Sequence, residues 1–374
     1  MKELIKKIIP LRARRKILEF LNRTWVAFCS RLPLKNRVCF YTIRSNGVLL
    51  DNAGILYDTL DCKKVIFASK LPHGNFEKAK AYRLLLTSKV IVTDDYCRYM
   101  RVIKLRPGQA LLQIWHGCGY FKKFALDADT DLTKEEERAT HSQYTAVAVT
   151  SEKSRQVFAN AFGIDESVCL ALGIPKTDVI INSPDKIRDG FFSAHPDLKG
   201  KKIYLYCPTF REKDGKRIEF DCGIDFGALS ESLADDEIFI VSRHPMADYD
   251  LIKGNYKNVI DMTSESTLSL VSAASVVITD YSSVCHDAAL FKKPMVFYCP
   301  DADEYERGFY LKFPDDLPGE MIKNPGSLLE EVRKANENPP FEKIERFKEN
   351  QLGACDGKAA QRTADLIYGY LKQS

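Results

Sequence analysis

The chain has no apolar run of the roughly 18 residues that a membrane-spanning helix needs, so a spanning segment is not expected. It has no Cys-x-x-Cys pair. Its eleven cysteines are scattered singly, which excludes a disulfide framework or a zinc knuckle and reads as reduced thiols in a cytoplasmic protein. It has no His-Glu-x-x-His, no Gly-rich Walker loop and no Gly-x-Gly-x-x-Gly, so metalloprotease, P-loop and dinucleotide chemistry lack their usual sequence support. The acidic pairs Asp127-Ala128-Asp129 and Asp301-Ala302-Asp303 are too short to argue for a metal, and neither a metal nor a cofactor is expected. No internal repeat and no low-complexity stretch interrupts the 374 residues, a length that suits two domains rather than one.

Acidic residues are also scarce at one end. Residues 1–37 carry eleven Lys or Arg against Glu3 and Glu19, a net +9, so that the remainder holds −5 of the total +4. Apolar residues recur there at helical spacing (Leu4, Ile5, Ile8, Ile9, then Ile17, Leu18, Leu21, Trp25, Phe28), with Pro10 between two short helices. A basic helix with an apolar stripe predicts an interfacial segment over 1–36 that lies on an anionic membrane surface. Lys6, Lys7, Arg12, Arg14, Arg15 and Lys16 would supply the charge and Trp25 the anchor. The basic residues interrupt the place where a secretory signal would be apolar, so export is not expected. Nucleic acid is not expected either, because no reading motif accompanies the charge.

From residue 37 short apolar strands alternate with helical stretches. Strands are predicted at 37–43, 64–68, 89–93, 111–115, 145–149, 168–172, 202–207, 237–242, 257–260, 275–279 and 294–298. Helices are predicted at 52–60, 76–87, 152–162, 225–234, 265–274 and 284–291. This alternation predicts parallel sheets covered on both faces by helices. Asn182, Ser183, Pro184, His195, Pro196 and Gly200 punctuate the stretch 181–200. The expected division is 37–190 and 191–374, with helices over 341–372.

In open parallel sheets ligands bind beyond the carboxyl ends of the strands. Four such ends carry polar residues of the types that do chemistry: His116-Gly117-Cys118-Gly119, Pro208-Thr209-Phe210-Arg211, Arg243-His244-Pro245 and Asp280-Tyr281-Ser282-Ser283. In the last, a strand turns directly into a helix, with Ser283 as the expected N-cap. Unpaired N–H groups and two hydroxyls there suit a phosphate or diphosphate. Arg211 could grip a phosphate bidentately. His116, flanked by glycines that let a substrate approach, has the chemistry of a general base, and His244 could support a phosphate oxygen. His73, His141, His195 and His286 are read as structural.

Taken in order, these segments resemble the CDP-glycerol glycerophosphotransferases of teichoic acid and capsule synthesis. The resemblance rests on Gln113-Ile114-Trp115-His116-Gly117-Cys118-Gly119-Tyr120-Phe121-Lys122-Lys123-Phe124, Gly173-Ile174-Pro175-Lys176-Thr177-Asp178, Tyr206-Cys207-Pro208-Thr209-Phe210-Arg211, Arg243-His244-Pro245, Thr279-Asp280-Tyr281-Ser282-Ser283, Lys293-Pro294, Arg307-Gly308-Phe309-Tyr310 and Asp356-Gly357-Lys358. It covers roughly residues 38–370. Gly117-Cys118-Gly119 stands where many members have Gly-Thr-Pro, and Lys176 where Arg is usual.

The resemblance implies a GT-B fold, two Rossmann-like domains facing across a cleft, with an acceptor domain and then a donor domain. By analogy Thr209, Arg211, Arg243, Ser282 and Ser283 would hold the CDP-linked donor, with Asp280 and Tyr281 shaping the turn. His116 would act as base on the acceptor hydroxyl and His244 would support the phosphoryl group. The implied reaction is glycerol phosphate transfer from CDP-glycerol to a lipid-linked saccharide or polyol-phosphate acceptor, at the cytoplasmic face of the membrane, with release of CMP. The competing expectations are a CDP-ribitol ribitolphosphotransferase, a nucleotide-sugar glycosyltransferase, and a membrane-bound nucleotide-binding protein without turnover.

Overall fold

The computed structural model describes residues 11–213, 216–244, 247, 249–305 and 308–373, without the side chains of 11–16, 212, 213, 216 and 217. Lys6, Lys7, Pro245 and Arg307 therefore lie outside the described residues, as do the side chains of Arg12, Arg14, Arg15 and Lys16.

Two six-stranded sheets organise the chain. The first contains β1 (Lys35–Thr42), β2 (Lys64–Ala68), β3 (Ser88–Thr93), β4 (Ala110–Gln113), β5 (Ala146–Ala148) and β6 (Cys169–Leu170). Their order is β2-β1-β3-β4-β5-β6, with every pairing parallel. The second contains β7 (Lys202–Cys207), then, beyond a small antiparallel hairpin of β8 (Arg211–Lys213) and β9 (Lys216–Ile218), β10 (Glu237–Val241), β11 (Val259–Asp261), β12 (Val276–Thr279), β13 (Met295–Tyr298) and β14 (Glu320–Ile322). Its order is β11-β10-β7-β12-β13-β14, again parallel throughout. Strands such as β10, β12 and β13 are buried at every position because helices cover both faces, which is why they read as continuous apolar runs. Each large apolar side chain so buried contributes about 1.5–3 kcal/mol.

In the first sheet the chain runs from β1 outward to β2, then returns to place β3 on the other side of β1. The direction of winding therefore reverses between β1 and β3. In the second sheet the corresponding reversal falls between β7 and β12. At each reversal the loops leaving the two strands part in opposite directions and open a crevice.

Three local readings change. The punctuated stretch 181–200 is largely helical, so the expected division at 190/191 falls inside a helix: Pro184 opens the helix Pro184–Ala194, since proline at a first helical position gives up no needed N–H. β14 and the β8–β9 hairpin, three residues per strand, are too short to show a period. The helix Leu11–Cys29 turns Trp25 inward rather than toward a membrane: its Nε1–H donates to the Ala79 carbonyl at 2.8 Å, and its ring packs on the first domain's core. The outward face instead shows Phe20, Leu21 and Phe28, 68%, 55% and 53% exposed. Among the described residues no helix is long and apolar enough to cross a membrane.

The C-terminal helix Ala359–Lys372 returns to the first sheet, where Ala364 and Ile367 share a core with Val38, Phe40 and Leu112. Asp178 holds it there, accepting from the Ala359 and Ala360 N–H groups at 2.9 and 2.8 Å.

Candidate active site

The crevice between β7 and β12 is organised by one buried carboxylate. Asp280 follows β12 directly and accepts from the Thr209 N–H at 3.0 Å, the Thr209 hydroxyl at 2.5 Å and the Tyr281 N–H at 2.6 Å. Arg211 adds an ion pair to it at 2.9 Å. The ends of β7 and β12 are thereby tied together, and the 280–283 turn is held open ahead of the helix Val284–Leu290.

Arg211 is differently employed from the expectation. It is only 5% exposed and forks onto Asp301 (2.6 and 3.1 Å) while also donating to the Thr209 carbonyl at 2.6 Å. Burial works against the charge, but Asp280 and Asp301 outweigh it and hold the guanidinium firmly protonated. The guanidinium also lies 4.0 Å from the Phe220 ring centroid. Arg211 is thus the buried strut of this site, its fork committed to carboxylate rather than open to a phosphate. Arg243 is similarly committed, to Asp250 at 3.0 Å and Asp261 at 3.2 Å. Asp301, one of the acidic pairs considered for a metal, is the counter-charge to Arg211. Tyr281 is buried, stacks on Tyr305 at 3.8 Å and donates to Asp301 at 3.2 Å.

The two serines lie toward the surface of the turn. Ser283 is exposed and Ser282 half-buried. Ser283 occupies the N-cap position without a side-chain cap, and Ser282 takes that role, its hydroxyl accepting from the Val284 N–H at 3.3 Å. His244 is brought over from β10 and meets the Phe210 ring at 4.8 Å, between Thr209 and Arg211 in sequence. The structure therefore gathers Thr209, Arg211, His244, Asp280, Tyr281, Ser282 and Ser283 at adjoining strand ends.

His116 arrives from the first sheet. Trp115 before it has a left-handed backbone, φ 47°, unusual for a bulky residue. Two bonds hold it there: Asn52 donates Nδ2–H to the Trp115 carbonyl and Gln113 accepts from its N–H, both at 2.9 Å. The indole stacks on the His116 ring at 4.6 Å. His116 Nδ1 lies 2.9 Å from the Asp94 carbonyl, which can only accept, so in the neutral imidazole Nδ1 carries the proton and Nε2 the lone pair.

The same loop is docked on the second sheet's turn. Gly119 has φ 58°, and a Cβ there would lie 2.2 Å from His286 Nε2, so only glycine permits this approach. His286 is three residues past Ser283 and bonds its carbonyl through Nδ1 at 3.1 Å; burial pushes its imidazole down to about 4, so it is neutral near pH 7. Lys176 pairs with Asp287 at 3.1 Å beside Cys118. His116 and Ser283 are thus carried by segments locked to each other.

The sequence reading singles out neither Asn52 and Asp94 nor Arg44, which pairs with Asp94 at 3.4 Å, and it weighs Asp301 only as part of a metal pair. Asp94 and Arg44 follow β3 and β1, and the strand-end rule, applied to every strand, finds both.

Two six-stranded parallel sheets of Rossmann type, docked on each other through the His116 loop and the 280–283 turn, define the GT-B class of fold. The profile of the CDP-glycerol:poly(glycerophosphate) glycerophosphotransferase family matches residues 27–369, and the chain belongs to that family. It is 34% identical to the teichoic acid ribitol-phosphate primase of Bacillus spizizenii, over 77% of this chain and 76% of that protein. It is 33% identical to the teichoic acid poly(ribitol-phosphate) polymerase of the same organism over 75% of this chain, which spans only 46% of that longer protein. It is 29% identical to the teichoic acid glycerol-phosphate primase of Bacillus subtilis, over 77% and 75%. A solved structure of the wall teichoic acid polymerase TagF superposes with a TM-score of 0.76 at 23% identity, covering 97% of this chain and 96% of that one. A further TagF structure, soaked with CDPG, gives 0.73.

Proposed function

We propose that this chain transfers a polyol phosphate from a CDP-activated polyol to a hydroxyl of a membrane-linked acceptor and releases CMP. The observation that carries the reading is the junction itself: the turn bearing Ser282 and Ser283, braced by Asp280 and Arg211, is docked through His286 and Gly119 on the loop that carries His116, whose Nε2 lone pair is set by its bond to the Asp94 carbonyl. The acceptor oxygen attacks the β-phosphorus, its proton passes to His116 Nε2, and the bond to the CMP oxygen breaks. Such transfers need positioning and charge stabilisation more than covalent help. The helix after Ser283 is only seven residues long, so the hydroxyls and turn N–H groups matter more than its dipole.

CDP-glycerol is the first donor proposed, in keeping with the family. CDP-ribitol is the second reading, because relatives named for ribitol phosphate share 33–34% identity against 29% for the glycerol-phosphate primase. Release of CMP from each donor, with and without a lipid-linked acceptor, tests this. Acceptor-dependent release from one of them is expected; release from neither, with CDP still bound, would remove the reading.

The same proposal places the protein peripherally at the cytoplasmic face of the membrane, through the basic segment and the exposed Phe20, Leu21 and Phe28. Changing Phe20→Asp and Leu21→Asp leaves the inward Trp25 and Cys29 contacts intact. It should lower co-sedimentation with phosphatidylglycerol vesicles several-fold, and unchanged sedimentation would refute the membrane role.

A further inference from the structure

We propose that the crevice between β1 and β3 is the acceptor subsite, and that Arg44 there recognises a phosphate carried by the acceptor close to its attacking hydroxyl. This rests on the transfer reading and adds a residue and a charge requirement to it.

The topology supplies the first argument. The candidate donor site lies at the winding reversal of the second sheet, between β7 and β12. The first sheet has its own reversal between β1 and β3, and the residues leaving those strands are Arg44 and Asp94. Asp94 joins this crevice to the chemistry. Its carbonyl accepts from His116 Nδ1 at 2.9 Å, and its carboxylate lies 3.4 Å from the Arg44 guanidinium. Base and arginine are fixed on one residue, so a molecule lying against Arg44 has its neighbouring polar atoms beside His116.

The second argument is donor capacity. Three arginines stand at strand ends, and they are not equivalent. Arg211 and Arg243 are each spent on two carboxylates and a backbone carbonyl. Arg44 makes two side-chain hydrogen bonds among the described residues, to Asp94 and to Asp51 at 2.9 Å, out of the five a guanidinium can donate. Its side chain is 22% exposed, so the spare donors can be reached. Asp51 is half exposed, and such a pair is weak enough for a phosphate to replace it, whereas the wholly buried Asp94 stays as the anchor. Among the described residues Asp94 also keeps one carboxylate oxygen with no hydrogen-bond partner, an uncommon state for a buried group and one that functional sites tolerate.

The test uses the full-length protein and two water-soluble disaccharide acceptors, one ending in glycerol phosphate and one in glycerol alone. The wild type should prefer the phosphate-bearing acceptor in kcat/KM by about 10- to 100-fold, the range of a charge-assisted contact. Arg44→Ala should reduce that preference to near unity with CDP affinity unchanged. Asp51→Asn, which removes the competing carboxylate, should increase it. If alanine prevents folding, Arg44→Lys decides the matter, since it keeps the charge but loses the fork and must still lower the preference. An Arg44 variant that binds CDP and retains the full preference overturns the proposal. Should the wild type release no CMP from either donor, the transfer reading fails separately, and calorimetric titration with the monomethyl ester of glycerol phosphate judges the subsite. Binding lost in Arg44→Ala sustains it, and no binding by the wild type removes it.

Discussion

CMP release by a His116→Ala protein is expected to fall by about 10²–10⁴-fold, the usual worth of general-base assistance, while the affinity for CDP stays as it was. The separation follows from where the residue sits. His116 belongs to the first sheet's β4 loop, whereas the residues proposed to hold the donor leave β7 and β12 of the second. The imidazole is prepared rather than merely present: Asp94 sets its tautomer, Trp115 stacks on it, and Asn52 and Gln113 keep Trp115 in its left-handed backbone. A base oriented in this way raises kcat through the step in which the acceptor loses its proton, and adds little to the binding of a nucleotide across the cleft. Single-turnover CMP release alongside CDP titration measures both quantities. An undiminished kcat would end the assignment of His116 as the base.

Asp280→Ala should have the larger effect on the protein as a whole, costing about 3–5 kcal/mol of stability and abolishing CDP binding. The carboxylate is completely buried and accepts from two backbone N–H groups and the Thr209 hydroxyl while balancing Arg211. Its loss leaves the buried Arg211 with Asp301 as its remaining carboxylate and the Thr209 and Tyr281 N–H groups without their acceptor, which costs more than the ion pair is worth in net terms. The turn that presents Ser282 and Ser283 would lose its brace at the same time. Chemical denaturation and CDP titration of the variant give the two readings. A variant with wild-type stability and wild-type CDP affinity would show that Asp280 does not organise this site.

Much of this was legible from residue order alone. Continuous apolar strands alternating with helical stretches specify parallel sheets with both faces covered, because only a strand buried on both sides can afford to be apolar at every position. The strand-end rule singles out His116, Thr209, Arg211, His244 and Asp280 to Ser283 as candidates, and the ordered motifs point to the family whose profile matches residues 27–369. Short elements escaped: β14 and the β8–β9 hairpin have too few residues for a period, and Pro184 reads as a break although it starts a helix.

What the sequence could not assign was the employment of each charged group. An arginine after a strand looks the same whether it will meet a phosphate or a carboxylate. Arg211 became a buried strut because Asp280 and Asp301, 69 and 90 residues further on, fold against it. Trp25 looked like a membrane anchor because helical periodicity reveals a stripe without saying what covers it, and the Ala79 carbonyl decided that. The residue types, their order and the parallel architecture belonged to the sequence. Which carboxylate neutralises which arginine, which nitrogen of His116 keeps its lone pair, and why Gly119 admits no side chain depend on contacts between distant segments, and those exist only once the two sheets have packed together.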